Sequence, residues 1–164
     1  KKLLIGNPFN FNDSKKLSLK SRKKMFEKII NSKSIFSVGL SNSKEVDNDG
    51  IVIATKSSMK KSLDKINYDY ALIDSVDLMI NKPYFNFNKA DSISVSVAAA
   101  SIIAKVCRDS MMSKIYDKLY PDYFFKNNKG YGSNKHIEIM KNIGLCPIHR
   151  KTFKPNSELI RKWD

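Results

Sequence analysis

Cysteine is scarce in this chain. Only Cys107 and Cys146 occur, and arginine is limited to Arg22, Arg108, Arg150 and Arg161. Two thiols so far apart match no metal-binding or redox spacing, which excludes a cysteine-rich zinc cluster and a CxxC redox centre. Both are expected to be ordinary buried or half-buried thiols in a reducing compartment. The opening stretch KKLLIGNPF has too short an apolar run for a secretory leader, so the cytoplasm is the expected compartment. No apolar run approaches the ~18 residues that cross a bilayer, and no membrane association is expected. Repeats, low-complexity linkers and composition breaks are also missing, so residues 1–164 read as a single domain. Nothing points to an oligomer or a protein partner, and a monomer is expected. The chain opens on Lys1 rather than Met, and a start upstream of Lys1 is expected.

Lysine, by contrast, is plentiful. Lys and Arg number 30 against 16 Asp and Glu, a formal net charge of +14. Such a surplus suits a nucleic acid, because lysines neutralise phosphates and release counterions. The abundance of Lys, Asn and Ile over Arg is equally what an AT-rich genome writes into any protein. Charge alone leaves both readings open.

Apolar spacing supplies the architecture. A helix is expected from the N-cap Ser18 through LKSRKKMFEKII, with Leu19, Met25, Phe26, Ile29 and Ile30 inward. Residues 1–5 read as the end of a strand, 6–14 as a loop and Ile35–Leu40 as an alternating strand. Asp47 is expected to open a second helix with Ile51, Ala54, Met59, Leu63 and Ile66 as its inner stripe. Tyr70–Ile73 reads as a short strand stopping at Asp74, with another short strand near Tyr84–Phe87. A long helix from about Ser94 to Tyr120 is stopped by Pro121, and its small apolar start SVAAASIIAK suits close packing on a sheet. The last expected helix runs from Asn134 to Gly144, a position suited to a C′ glycine. Alternating strands and helices predict an α/β fold.

Few residues carry chemistry on their own. Asp74 stands at the C-terminal tip of a strand, where α/β sheets place their sites, yet a turn residue would look the same. Asp91, in KADSIS, precedes the long helix and reads equally well as a cap. If brought together, the two carboxylates would repel unless a divalent cation lay between them. The loop Lys129-Gly130-Tyr131-Gly132-Ser133 lets backbone approach a ligand and offers an aromatic hydroxyl, although a plain turn explains it too. Lys15 and Lys16, in DSKKLS, could contact phosphates or simply be solvated. His136 and His149 are too isolated to be read as catalytic.

Taken as a set, DSKKLS, ATKSSM (Ala54–Met59), LIDS (Leu72–Ser75), KADS (Lys89–Ser92), SVAAASIIAKVCRD (Ser96–Asp109), KGYGS and HRKTF (His149–Phe153) resemble ribonuclease HII in order and spacing, from residue 1 to about residue 155. The resemblance implies a ribonuclease H-like fold, with a mixed central sheet flanked by helices and a C-terminal helical part. It implies cleavage of the RNA strand of RNA–DNA hybrids and nicking of duplex DNA 5′ of embedded ribonucleotides. Mg²⁺ or Mn²⁺ would be required, in two-metal hydrolysis leaving a 5′-phosphate and a 3′-hydroxyl. By the same resemblance Asp74 and Asp91 would be metal-binding catalytic carboxylates and Tyr131 would read the ribose 2′-hydroxyl. Lys129, Gly130, Gly132, Lys15 and Lys16 would contact substrate, and Asp109 would be structural.

The chain departs from the family in what it does not contain. The family's first strand bears an Asp-Glu pair followed by Gly-Arg-Gly, and neither motif occurs here. The acidic cluster Glu45–Asp49 matches a helix-start segment instead and is no substitute. Asn128 stands where a histidine is usual, Gly50 where an asparagine is usual and Ser75 where a glycine commonly follows the aspartate. With the first strand missing, the 164 residues alone are expected to be inactive or impaired as a nuclease. Unpaired sheet edges are expected to make them unstable or aggregation-prone. The competing readings are a non-catalytic hybrid-binding protein and an unrelated basic α/β domain.

Overall fold

A computed structural model describes residues 17–161. The strand end expected at 1–5, the loop at 6–14, and Lys15 and Lys16 lie outside the described residues. The chain forms two compact units. The first holds the described residues up to Leu40 together with Lys56–Cys107; the second holds Ser41–Thr55 and the chain from Arg108 onward.

In the first unit, helix α1 spans Leu19–Asn31. The Ser18 hydroxyl accepts from Ser21 N at 3.1 Å and caps it, as expected. Its inward stripe is Arg22 and Ile29, both buried, with the partly buried Met25 and Phe26, the i, i+3, i+4, i+7 positions of one face. Leu19 and Ile30, expected inward, are 71% and 40% exposed; Ile30 is rotated about 100° from Ile29, off the stripe. Arg22 is buried, with Nη2 donating to Leu17 O at 2.9 Å. The stripe packs on Ala98, Ile102 and Ile103 of the long helix α4, Val95–Met111. The small apolar start of α4, expected to lie on a sheet, packs against α1 here instead.

Ile35–Leu40 is not a strand. It has no regular structure and no strand partner among the described residues. It lies along helix α2, Ser43–Leu63, whose Lys61 donates to Leu40 O; Lys65, just beyond the helix, donates to Val38 O, each at 3.1 Å. Ser37 Oγ donates to Ser62 O. A Cβ at Gly39 would stand 1.8 Å from Ser58 O, so only glycine permits this approach. The apolar alternation is real, but side chains take the carbonyls that a neighbouring strand would have taken.

Strands β1, Ala71–Asp74, and β2, Tyr84–Phe87, match their expected places within a residue. They pair in parallel, from Ala71 opposite Tyr84 to Asp74 opposite Phe87. This is the whole sheet among the described residues, smaller than the mixed central sheet expected. Ala71, Ile73 and Leu78 pack with Met59, Leu63 and Tyr84 beneath it. A single-turn helix α3, Ala90–Ile93, leads into α4.

The second unit is helical. α2 begins at Ser43, not Asp47, because Asn42 and Glu45 cap each other reciprocally: Asn42 Oδ1 accepts from Glu45 N at 2.9 Å, and Glu45 Oε2 from Asn42 N at 2.6 Å. The helix breaks at Gly50, where φ is 82°. Of its expected stripe, Ala54 is buried while Ile51 is 45% exposed. Beyond α4 the chain stays helical through a π-turn, Met112–Tyr116, and α5, Asp117–Leu119, until Pro121 opens a 3₁₀ turn. Helix α6 covers Phe125–Asn128. Helix α7 covers Asn134–Ile143 and ends on Gly144, as expected, and α8 covers Asn156–Ile160. Met112, Tyr123, Phe125, Met140, Cys146 and Leu159 form the core, with Tyr123 and Phe125 stacked at 5.6 Å.

Candidate functional site

Asp74 is the last residue of β1 and is half-buried. Its Oδ1 accepts from Ala90 N and from Ser75 Oγ, each at 3.0 Å. The first bond ties the start of α3 to the strand tip, and Asp91 is the next residue of that turn, also half-buried. Two sequence-predicted carboxylates are thus carried by adjoining backbone. Two donors saturate Oδ1, which leaves Oδ2 available to other ligands. Ser75 and Lys89, on either side of this junction, both have φ of 58°. That left-handed conformation favours glycine and explains why a serine at position 75 is the exception.

Carboxylate oxygens suit a hard divalent cation in kind. Among the described residues, however, no group of three or more His, Cys, Asp or Glu side chains is gathered. Asp74 and Asp91 alone could supply at most part of a cation's coordination.

The glycine–tyrosine loop belongs to the second unit. Lys129 and Gly130 have φ of 52° and 72°, and Tyr131 N donates to Asn128 O at 2.9 Å. Tyr131 is half-exposed, with the Arg108 guanidinium 5.5 Å from its ring centroid. Nothing stands near the Cβ position of Gly132, so backbone there is open to a ligand. Lys129 is turned inward: its ammonium donates to Ser113 Oγ and to Lys126 O.

Sequence reasoning noted Asn128 only as standing where a histidine is usual and gave Arg108 no role. Arg108 precedes Asp109 in the quoted motif, and Asn128 directly precedes KGYG; their adjacency was the available signal. Arg150 stacks on Phe153 at 3.9 Å, and its pKa is lowered by burial and by the charge of Arg108, against the pull of Asp47.

His136 and His149 lie in the core of the second unit, stacked at 5.3 Å with Nε2 atoms 3.2 Å apart. Cys146 N donates to His149 Nδ1 at 3.0 Å, so a neutral His149 carries its proton on Nε2 and donates to His136. His136 then carries its own on Nδ1, toward the Tyr123 carbonyl. Burial pushes both rings below the usual histidine range; His149, further repelled by His136, falls to about 4. Neither ring is placed to act as a catalyst. Asp47 is equally structural. Its carboxylate accepts from Lys151 N, Thr152 N and Thr152 Oγ1 at 2.8, 3.0 and 2.7 Å.

Comparison with known proteins agrees with the motif set. The sequence model of the family described as ribonuclease HII matches residues 7–156. Ribonuclease HII of Enterococcus faecalis is 43% identical over 151 residues, which cover 91% of this chain and 59% of that protein. Ribonuclease HII of Acholeplasma laidlawii is 41% identical over 155 residues, covering 93% of this chain and 76% of that protein. The crystal structure of ribonuclease H2 from Pyrococcus horikoshii is similar with a TM-score of 0.61 at 26% identity, covering 94% of this chain and 82% of that one. The ribonuclease H-like α/β class is thereby borne out, although the sheet is smaller than expected. The chain spans about three fifths of the length of the Enterococcus relative.

Proposed function

The chain belongs to the ribonuclease HII family, and from that premise we propose that it is the part of a cytoplasmic endonuclease that carries two of its carboxylates and its ribonucleotide-reading loop. The reaction is hydrolysis of the RNA strand of RNA–DNA hybrids, and of the phosphodiester 5′ of a ribonucleotide embedded in duplex DNA. The observation that supports it is the junction at Asp74, whose carboxylate accepts from Ala90 N and so carries Asp91 on the backbone beside it. A structural cap needs one carboxylate there, whereas metal-assisted hydrolysis needs several.

Asp74 and Asp91 would hold Mg²⁺ or Mn²⁺, which supplies an activated water and a counter-charge for the leaving oxygen. Ala90 N and Ser75 Oγ orient the Asp74 carboxylate through Oδ1. Tyr131 presents its ring and hydroxyl to the ribose, where the 2′-hydroxyl separates RNA from DNA. Gly132, with nothing near its Cβ position, leaves its backbone open to the sugar–phosphate chain, while Gly130 takes the left-handed turn beside Met112 that presents the loop to it. The lysine surplus, including Lys15 and Lys16, adds sequence-independent affinity for phosphates. Full activity requires acidic ligands beyond these two, which the family supplies on the strand with Asp-Glu and Gly-Arg-Gly.

The test is incubation with Mg²⁺ or Mn²⁺ and duplex DNA containing one ribonucleotide. The chain is assayed alone and joined to a strand bearing those two motifs, with Asp74→Asn and Asp91→Asn controls. The expected result is nicking 5′ of the ribonucleotide by the joined form, reduced ~100-fold in either control, since even outer-shell partners cost about 10–100-fold. Hybrid binding without metal, and no cleavage by either folded form, would replace the nuclease reading with a binding one.

A further inference from the structure

We propose that Asn128 is the positioning residue that aims Tyr131, a role that rests on Tyr131 being the ribose reader. Its amide is half-buried and bonded through both its oxygen and its nitrogen. Oδ1 accepts from Gly130 N at 2.7 Å, Nδ2 donates to Tyr123 O at 2.7 Å, and Nδ2 lies 3.1 Å from His136 Nδ1. The orientation of the amide is not interchangeable. Reversed, it would set Nδ2 against Gly130 N and Oδ1 against Tyr123 O, opposing donor to donor and acceptor to acceptor.

Asn128 also accepts from Tyr131 N through its own carbonyl at 2.9 Å. Side chain and backbone of one residue therefore hold two successive N–H groups, those of Gly130 and Tyr131. Between them the chain takes two successive left-handed conformations, at Lys129 and Gly130. For Lys129 this conformation is strained and persists only where neighbours enforce it. The enforcing contacts lead directly into the core. Asn128 reaches Tyr123 O, Tyr123 stacks on Phe125, and His136 packs against both rings. On the outer side Arg108 lies over the Tyr131 ring and donates to Lys129 O at 3.4 Å. The ring is exposed, but the Asn128 side chain ties its backbone to the aromatic core of the unit.

Asn128 does not touch the ribose itself; it acts through Gly130. Asparagine fits here because it offers an acceptor and a donor from one short planar group. The substitution Asn128→Asp would retain the acceptor for Gly130 N and lose the donor to Tyr123 O. The substitution Asn128→Ala would lose both.

The experiment compares wild-type chain, Asn128→Asp, Asn128→Ala, Tyr131→Ala and the double variant Asn128→Ala/Tyr131→Ala. Two quantities are read: hydrogen exchange at the Gly130 amide, and the affinity ratio for a duplex with one ribonucleotide over the all-DNA duplex. The expected result is that Asn128→Ala speeds Gly130 exchange at least ~10-fold and lowers the affinity ratio as far as Tyr131→Ala does. The double variant falls no further, as coupled residues require. Asn128→Asp, which keeps the acceptor for Gly130 N but sets an oxygen against Tyr123 O, gives exchange and a ratio between those of wild type and Asn128→Ala. A lowered ratio in Tyr131→Ala with an unchanged one in Asn128→Ala overturns the positioning role and spares the ribose reader. An unchanged ratio in Tyr131→Ala overturns the ribose reader, and with it the role of Asn128 in reading. Equal Gly130 exchange in all variants overturns the hold on the loop whatever the ratios show.

Discussion

The two compact units bury different kinds of core. In the second, rings and thioether close on one centre: Tyr123, Phe125 and Met140, with His136 and His149 among them. Three of the four largest fully buried side chains of the described residues, Phe125, Met140 and His136, belong to it. The first unit divides its burial between an aliphatic helix seam around Ile102 and a small cluster of Ala71, Ile73 and Leu78 under two strands. Short helices joined by short loops complete a core from nearby sequence. A sheet of two strands alone is marginal. The candidate carboxylates therefore sit on the thinner support, and the glycine–tyrosine loop on the thicker.

Truncation tests this most severely. Phe125→Ala is expected to cost roughly 3–5 kcal/mol, against about 2 kcal/mol for Ile73→Ala, where a smaller cavity can collapse. Urea unfolding followed by segment-resolved hydrogen exchange reads both. Equal losses would break the comparison and show the sheet cluster to be as closely packed as the aromatic one.

Acid should then weaken the second unit selectively. His149 has a folded pKa of about 4, below its ordinary 6.5. Between those values the unfolded chain binds the proton that the folded chain refuses, so stability is complete above about pH 6.5 and falls as pH drops toward 4. The loss is on the order of 3 kcal/mol. Added protons have nowhere to go: His149 Nδ1 already faces Cys146 N–H, and His136 Nε2 faces the His149 proton. Exchange protection measured at pH 7, 5.5 and 4.5 should decline in α7 and leave α1 unchanged. A parallel decline in both helices would refute the assignment to the histidines.

Much of this was legible in sequence where a local signal sufficed. Ser18 by its hydroxyl, and Pro121 and Gly144 by their backbone, bound helices, and Asp74 ended its strand where it was expected to. Failures came where a distant partner decided the outcome. Ile35–Leu40 alternates as a strand does, but Lys61, Ser62 and Lys65, more than 20 residues on, engage its backbone and side chains instead. Asp47 looks like a helix start until Thr152, 105 residues away, is seen to hold its carboxylate. Asp74 and Asp91 were nameable because the motif set supplied their roles. The bond from Ala90 N to Asp74 that joins them has no signature in composition or period.

The Asp47 anchor gives a smaller, separable effect in the second unit. Burial raises its pKa, but hydrogen bonds from Thr152 and Lys151 and the charge of Arg150 outweigh that and hold it below the ordinary 3.8. Its contribution is present above pH 3.8 and lost as pH falls through the lowered value, a window beneath that of His149. Asp47→Ala should cost about 1 kcal/mol at pH 7, discounted because the site is partly exposed. The cost should shrink toward pH 3. A cost that stays constant would assign it to the helix and not to the charge.

The helix caps offer the finest comparison, since one residue type does one task in each unit. Ser18 accepts from Ser21 N at 3.1 Å, whereas Ser133 accepts from His136 N at a longer 3.4 Å. A serine cap is worth about 1 kcal/mol, and the longer bond should be worth less. On contact geometry alone, Ser18→Ala should therefore lower the melting temperature more than Ser133→Ala. Ser133 has a second attachment, however: its N–H donates to Tyr131 O at 2.8 Å, and that bond survives replacement by alanine. The backbone keeps α7 tied to the loop whichever side chain caps it, which reinforces the expected order. Should Ser133→Ala prove the costlier change, its hydroxyl must be holding the loop as well as the helix, and the thicker support of the second unit would extend outward to Tyr131.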